Sequence, residues 1–316
     1  MSFPKQCCAS GSLHTGTPTG AISKLHDLDV YIASPPSNRP PKGIVVILPD
    51  IFGWTLPNTR ILADSFAAKG DFLVMLPDFM DGNVFPQDLI ISIKALDATG
   101  LFACVTKAYH FLKLVWRGWP FLKNDKARLV RPRVRKFFRK LQFSHPGLFV
   151  AAAGYCWGGQ WAVELCKYDD EDYCTLGSED GCPPPLVVCS FTAHPSRLKL
   201  PIDIEMVRFP LSIAAAGVDQ QIPIAKARQI EGILEVKTVK AKKDGLERDS
   251  VTYEHEFVLY EGVHHSFAVR ADENEGHEKE CGKKAEDQAI RWFKKWFELA
   301  GERKLPWQFP RYEDDA

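Results

Sequence analysis

The sequence predicts an α/β fold, a mostly parallel sheet with helices on both faces. Three observations carry this. Short continuous runs rich in β-branched residues, such as Gly43-Ile44-Val45-Val46-Ile47-Leu48, mark strands buried on both faces. Such runs alternate along the chain with stretches of helical apolar spacing, the order that gives parallel sheets. A hydrophobic fraction of 45% with 11% aromatic residues over 316 positions is ample for a sizeable core.

Taken in order, residues 1–28, rich in Gly, Ser, Thr and Pro, are expected as an irregular arm. Residues 29–33 alternate as a strand should, and residues 34–42 form a proline-rich turn before the strand at 43–48. Residues 58–69 repeat Ile61, Leu62 and Phe66 at helical spacing and stop at Gly70, read as the C-terminal cap. Residues 72–76 give a second buried strand ending in Pro77-Asp78, and 101–116 a longer helix. Residues 148–153 form a third buried strand, followed by Gly154-Tyr155-Cys156-Trp157-Gly158-Gly159 and a helix over 160–168. Strands at 186–191, 211–216 and 257–260 and an amphipathic helix at 286–299 complete the pattern. There is no internal repeat and no linker long enough to divide the chain, so residues 1–316 are expected as one domain.

Three segments read as insertions. Residues 113–140 carry eleven Lys/Arg against a single acid, Asp125, with Leu129, Val130, Val134, Phe137, Phe138 and Leu141 at helical spacing. This predicts a basic amphipathic helix, its apolar face beside the strand before Gly154. Its basic face is either solvated or docked on an acidic partner, anionic lipid headgroups or phosphate. Residues 169–185 read as an acidic loop, and 236–250 as a solvated hairpin or loop.

Forty basic residues balance forty acidic ones, so net charge points to no nucleic-acid partner. The first residues lack a signal-peptide pattern and no apolar run is long enough to span a bilayer. Nine scattered cysteines favour a reducing, cytoplasmic setting with free thiols. Neither Cys7-Cys8 nor Cys174/Cys182 has metal-site spacing, and no P-loop or dinucleotide glycine motif occurs, so no metal or cofactor is expected. Monomer and homodimer are both open.

The passage strand–Gly154-Tyr155-Cys156-Trp157-Gly158-Gly159–helix has the form of a nucleophile elbow. The reactive residue there sits on a strained strand-to-helix turn, and the positions two before and two after it must be small. Gly154 and Gly158 stand at those positions. The helix N-terminus favours thiolate at Cys156, and the N–H of Trp157 points where an oxyanion would form. The bland reading is a buried cysteine in a turn with packing glycines. An elbow needs an acid and a base, in that chain order. Asp219 follows the strand at 211–216, and the pair His264-His265 follows the strand at 257–260, so both loops open on the edge that carries the elbow.

These motifs resemble the dienelactone hydrolase family of α/β-hydrolases, in its eukaryotic branch. The resemblance rests on His14-Thr15-Gly16, Asp50-Ile51-Phe52-Gly53, Asn58-Thr59-Arg60, Leu76-Pro77-Asp78, the cysteine elbow, Gly217-Val218-Asp219 and His265-Ser266-Phe267-Ala268. It implies an α/β-hydrolase fold and a Cys156-His265-Asp219 triad that cleaves small esters or lactones through a thioester. It also implies His265 as base beside a pocket-shaping His264, and the N–H of Ile51 as second oxyanion donor. Asp50 stands where bacterial relatives carry a glutamate that controls the cysteine's ionisation. Those relatives clamp a substrate carboxylate with two arginines; here Gly82 replaces one, and Arg270 stands one residue late for the other. His194, after the strand at 186–191, is expected to border the pocket or to make a structural hydrogen bond. Two other readings stay open, a catalytically silent binding module that uses its basic helix and a thiol acyltransferase.

Overall fold

The computed structural model describes residues 11–12, 15–36, 39–96, 99, 103–125, 127–167, 185–243, 254–272 and 276–302. Its centre is a pair of parallel strands, β3 (Ile44–Leu48) and β5 (Val150–Tyr155), in which every residue is buried. Val, Ile and Leu fill β3, while the alanines of β5 leave room for helices on either face. Around them lie β1 (Ala21–Leu25), β2 (Leu28–Ala33), β4 (Leu73–Pro77), β6 (Ser190–Ala193), β7 (Leu211–Val218) and β8 (His255–His264). One eight-stranded sheet results, in the order β1-β2-β4-β3-β5-β6-β7-β8. β2 pairs antiparallel with both β1 and β4, and the remaining pairs are parallel, as expected for an α/β-hydrolase fold.

The chain runs outward from β3 to β4, then returns to β5 on the other side of β3 and continues outward to β8. The order therefore reverses between β3 and β5. At such a switch point the loops leaving the two strands diverge and open a crevice. Those two loops hold Asp50-Ile51 and Cys156.

The helices are α1 (Pro57–Gly70), α2 (Leu89–Ala95), α3 (Ala103–Asn124), α4 (Ala127–Ser144), α5 (Trp157–Leu165), α6 (Ile202–Glu205), α7 (Ile224–Lys243), α8 (Phe267–Arg270) and α9 (Gly276–Gly301). Phe293 and Phe297 of α9 meet Phe66 of α1 and Phe72 edge-on or nearly so, closing one face of the sheet. On α4, Val130, Val134, Phe137, Phe138 and Leu141 are buried as predicted, with Phe137 against Phe79 and His26. Leu129 is exposed instead. The helix lies over α5 and the Phe79 turn, held by Arg131 to Glu164 and by Arg133 to the Phe79 carbonyl.

Several expectations need correction. The arm expected through residue 28 contains an edge strand, because His26 and Asp27 both take positive φ (52° and 74°) and close a two-residue hairpin from β1 to β2. β1 itself is almost wholly exposed, so it shows no alternation to read. The left-handed cap of α1 is Asp71 (φ 58°), not Gly70; Gly70 is the last helical residue, and glycine is needed there because a Cβ would lie 2.1 Å from the Phe72 ring. The basic stretch 113–140 is not one helix; it spans the second half of α3 and most of α4. The charged run from residue 236 continues α7 to Lys243, since its four lysines and Ala241 are good helix formers. His14, most of the 169–185 loop and residues 244–250 lie outside the described residues.

Candidate active site

β5 delivers the chain into Cys156 with φ 51° and ψ −109°, and α5 begins at the next residue. Only close packing holds a non-glycine residue in that conformation. A Cβ on Gly154 would lie 2.5 Å from the Gly158 carbonyl oxygen, and one on Gly158 only 1.9 Å from the Leu48 carbonyl oxygen. Both positions therefore need glycine, as the motif predicted. The second contact also presses the elbow against the end of β3, where Asp50 and Ile51 begin. The Trp157 amide is the first of α5, where no intrahelical carbonyl is available to it.

The loop after β6 wraps the elbow. Cys156 N–H donates to the Ala193 carbonyl at 3.3 Å, and Ser196 N–H donates to the Cys156 carbonyl at 2.9 Å. Cys156 Sγ lies 3.9 Å from Ser196 Oγ. Between these contacts sits His194, buried, with φ 38°. Its ring packs edge-on against His265 at 4.8 Å between centroids and lies 6.1 Å from Tyr155. Neither of its ring nitrogens has a hydrogen-bond partner among the described residues. Burial first, then the charges of His265 and Arg270, pushes His194 well below the usual histidine range, so the ring is neutral. Of its two expected roles, the structural hydrogen bond is absent among the described residues, and the ring instead packs against His265.

β7 carries a register shift between Ala216 and Val218 as it pairs with β8, which sets Val218 opposite His264, so Asp219 and His265 follow directly on the two strand ends. His265 Nδ1 and Asp219 Oδ2 are 2.8 Å apart, with both side chains buried. Asp219 Oδ1 accepts the Gln221 N–H at 2.7 Å, which fixes the carboxylate plane. His264, the last residue of β8, points the other way and is exposed, whereas Val263 and His265 are buried. Successive strand residues face opposite sides, so His264 is turned away from His265.

Asp50 and Arg270 form a buried ion pair, Nε to Oδ2 3.2 Å. The Arg270 guanidinium also lies 4.6 Å over the Phe52 ring and donates to Ser266 Oγ at 2.8 Å. Phe52 N–H donates to Asp50 Oδ1 at 3.0 Å. Burial pushes the Asp50 carboxyl up; Arg270, that amide and His265 pull it back. Arg270 thus answers an internal carboxylate, and its backbone is covered by the chain start: Ser12 N–H donates to its carbonyl at 3.1 Å and Ser12 Oγ to that of Ala271 at 2.8 Å. Asn58 Nδ2 bridges the carbonyls of Ser12 and Val269, which gives the Asn58-Thr59-Arg60 motif its structural purpose. Gly82 sits in an exposed turn with φ 72°, and its N–H donates to Asp78.

With this geometry in place, comparison with known proteins is informative. Residues 28–297 match the dienelactone hydrolase family. The chain belongs to that family. Hydrolase tropI of Talaromyces stipitatus is 31% identical over 93% of this chain and 98% of its own length. Hydrolase pyvD of Aspergillus violaceofuscus is 28% identical over 93% of this chain and 97% of its own. A crystal structure from Klebsiella pneumoniae, assigned as a dienelactone hydrolase, superposes with a TM-score of 0.56 at 15% identity, covering 87% of this chain and 98% of that one. Membership in the dienelactone hydrolase family makes this protein a hydrolase of the ester and lactone class, and the shared fold agrees with the switch-point architecture.

Two residues of the dienelactone hydrolase site escaped the sequence reading. Ser196 stands two positions after His194 in the same loop, a spacing that could have drawn attention. Asp125 accepts from Trp157 Nε1 at 2.6 Å and pairs with Arg197, tying the end of α3 to the elbow. No local pattern announces a contact between elements so far apart in sequence.

Proposed function

We propose that the protein cleaves a small ester or lactone through a thioester on Cys156, within a single α/β-hydrolase domain. The observation that carries this reading is the buried His265 Nδ1–Asp219 Oδ2 contact of 2.8 Å, together with a cysteine held at φ 51° at the start of α5. Asp219 keeps the Nδ1 proton in place, so Nε2 is the basic nitrogen, and it stabilises the imidazolium once formed. His265 takes the Cys156 thiol proton as Sγ adds to the carbonyl carbon. The N–H groups of Trp157 and Ile51 receive the oxyanion. On collapse the carbon–oxygen bond breaks and His265 returns the proton to the leaving alcohol. Water, deprotonated by the same nitrogen, then splits the thioester to release the acid and restore the thiol.

Arg270 is committed to Asp50, and Gly82 offers no side chain, so this reading gives no place to a two-arginine carboxylate clamp. Neutral esters and lactones are therefore the favoured substrate class. Free thiols at Cys104, Cys156, Cys166, Cys189 and Cys281 fit a reducing, cytoplasmic setting for a monomer or homodimer.

The test is a rapid-mixing experiment with a slow chromogenic ester, read by absorbance and by intact-protein mass. One equivalent of chromophore should appear in a burst, with the matching acyl mass on Cys156. Cys156→Ala should lose both. Steady turnover in that variant would reject the nucleophile, and preferential transfer to an added alcohol would reclassify the protein as an acyltransferase.

A further inference from the structure

Helix α3 is apolar on two opposite faces. Leu114, Phe121 and Leu122 are buried on the inner one. The outer one carries Val105, Tyr109, Leu112, Trp116 and Trp119, separated by four, three, four and three residues and all exposed. Leu112 is 66% accessible, Trp116 79% and Trp119 56%. This is one continuous stripe about 21 Å long at 1.5 Å per residue. Soluble surfaces rarely display a contiguous row of that size without a partner.

Charge selects the partner. Between residues 103 and 144 there are twelve Lys/Arg and one acid, Asp125, which faces inward to Trp157 and Arg197. α3 itself holds no Asp or Glu. Lys113 and Arg117 pair with Asp88, but Lys107, Lys123 and Arg128 are exposed and carry no ion pair among the described residues. Lys123 lies on the stripe, one turn beyond Trp119. A second copy packed along the same stripe would bring two basic helices together with no acid on either α3 to offset them. Indole and phenol rings in a row that ends at Lys123 suit the boundary of an anionic bilayer, where rings sit at headgroup level and a lysine stem reaches the phosphates. Among the described residues no helix is long and apolar enough to cross a membrane, so the fitting geometry is a helix lying in the surface.

We propose that α3 docks the protein on an anionic lipid surface, with Leu112, Trp116 and Trp119 at the acyl boundary and Lys123 on a headgroup phosphate. Because α3 ends at Asp125, which holds the Trp157 indole, the docked helix would sit next to the cysteine elbow. The proposal does not rest on the thioester reading, since its test contains no substrate.

The full chain is sedimented with vesicles of phosphatidylcholine alone and of phosphatidylserine mixed with phosphatidylcholine, at low and high salt. Binding to the mixed vesicles should exceed that to phosphatidylcholine roughly tenfold or more and weaken with salt. The double variant Trp116→Ser/Trp119→Ser and the single variant Lys123→Glu should each lower it by roughly tenfold or more at an unchanged melting temperature. No binding to the mixed vesicles, or equal binding by both variants, overturns the proposal. A dimer that Trp116→Ser dissociates, without vesicle binding, would assign the stripe to a second copy. Capture by polyglutamate but not by vesicles would assign it to an acidic protein.

Discussion

Replacing Arg270 by Met tests the buried ion pair, because it keeps an apolar stem over Phe52 while removing the charge. Both partners are almost fully enclosed, 3% and 1% accessible, and 3.2 Å apart. Removing one member of such a pair strands the other, at a cost of about 3–5 kcal/mol. Loss of the guanidinium's bond to Ser266 and its position over Phe52 adds to this. The Asp50 carboxyl is already pushed up by burial and would lose the strongest influence opposing that push. The sign of the pH effect follows. A carboxyl whose folded pKa lies above its unfolded value binds its proton more tightly when folded. The penalty is therefore full above the folded pKa and fades as pH falls through it. Urea unfolding of the wild type, Arg270→Met, and Arg270→Met with Asp50→Asn would be compared at neutral and mildly acid pH. The single variant should lose about 3–5 kcal/mol near neutrality. Neutralising Asp50 should recover on the order of 1–3 kcal/mol. A loss below about 1 kcal/mol, or no recovery on neutralising Asp50, would show that Arg270 answers some other group.

The two adjacent histidines should separate cleanly. His265→Ala should slow acylation by about three orders of magnitude or more, whereas exposed His264→Ala should cost roughly tenfold or less; equal losses in single-turnover kinetics would defeat the assignment. A lactone bearing a carboxylate and its methyl ester should give kcat/KM values within about a hundredfold, because a charge-assisted contact contributes roughly 1.5–3 kcal/mol. A larger preference for the acid would mean that another cation reaches the substrate, and Arg133, already at the Phe79–Asp81 turn, is the first to replace. His194 is held neutral well below its ordinary value of 6.5, so the unfolded chain takes up a proton that the fold refuses. Its contribution to stability is complete above pH 6.5 and falls by about 1.4 kcal/mol per pH unit below that. His194→Asn should flatten the slope of urea stability between neutral and mildly acid pH by that amount, and an unchanged slope would exclude the ring as its source.

The elbow could be read from sequence because its constraint is local: two glycines around one residue, between a strand and a helix. Asp219 and His265 were legible for a related reason, since a residue just past a parallel strand must emerge on the edge where such sheets keep their chemistry. Choosing His265 over His264 needed either the family resemblance or the strand's alternation in space. What stayed hidden depended on tertiary contact. β1 forms because a hairpin positions it, not because its side chains alternate in polarity. Asp50 and Arg270 find each other only when the β3 loop and α8 are folded side by side. Asp125 reaches Trp157 only when α3 lies across the elbow.

The strap formed by Gly11 and Ser12 has a consequence for the order in which the molecule is made. Ser12 Oγ donates to a carbonyl 259 residues further on. No nascent chain can form that contact until Ala271 has left the ribosome, by which time β1 to β7 can already have paired. Loop-closure cost rises only with the logarithm of length, so the delay weighs little on equilibrium stability and heavily on rate. Sheet assembly can run ahead, but the Ser12 contacts on Arg270 and Ala271 form only when these distant segments meet, which places this part of the site among the later things the folding protein acquires.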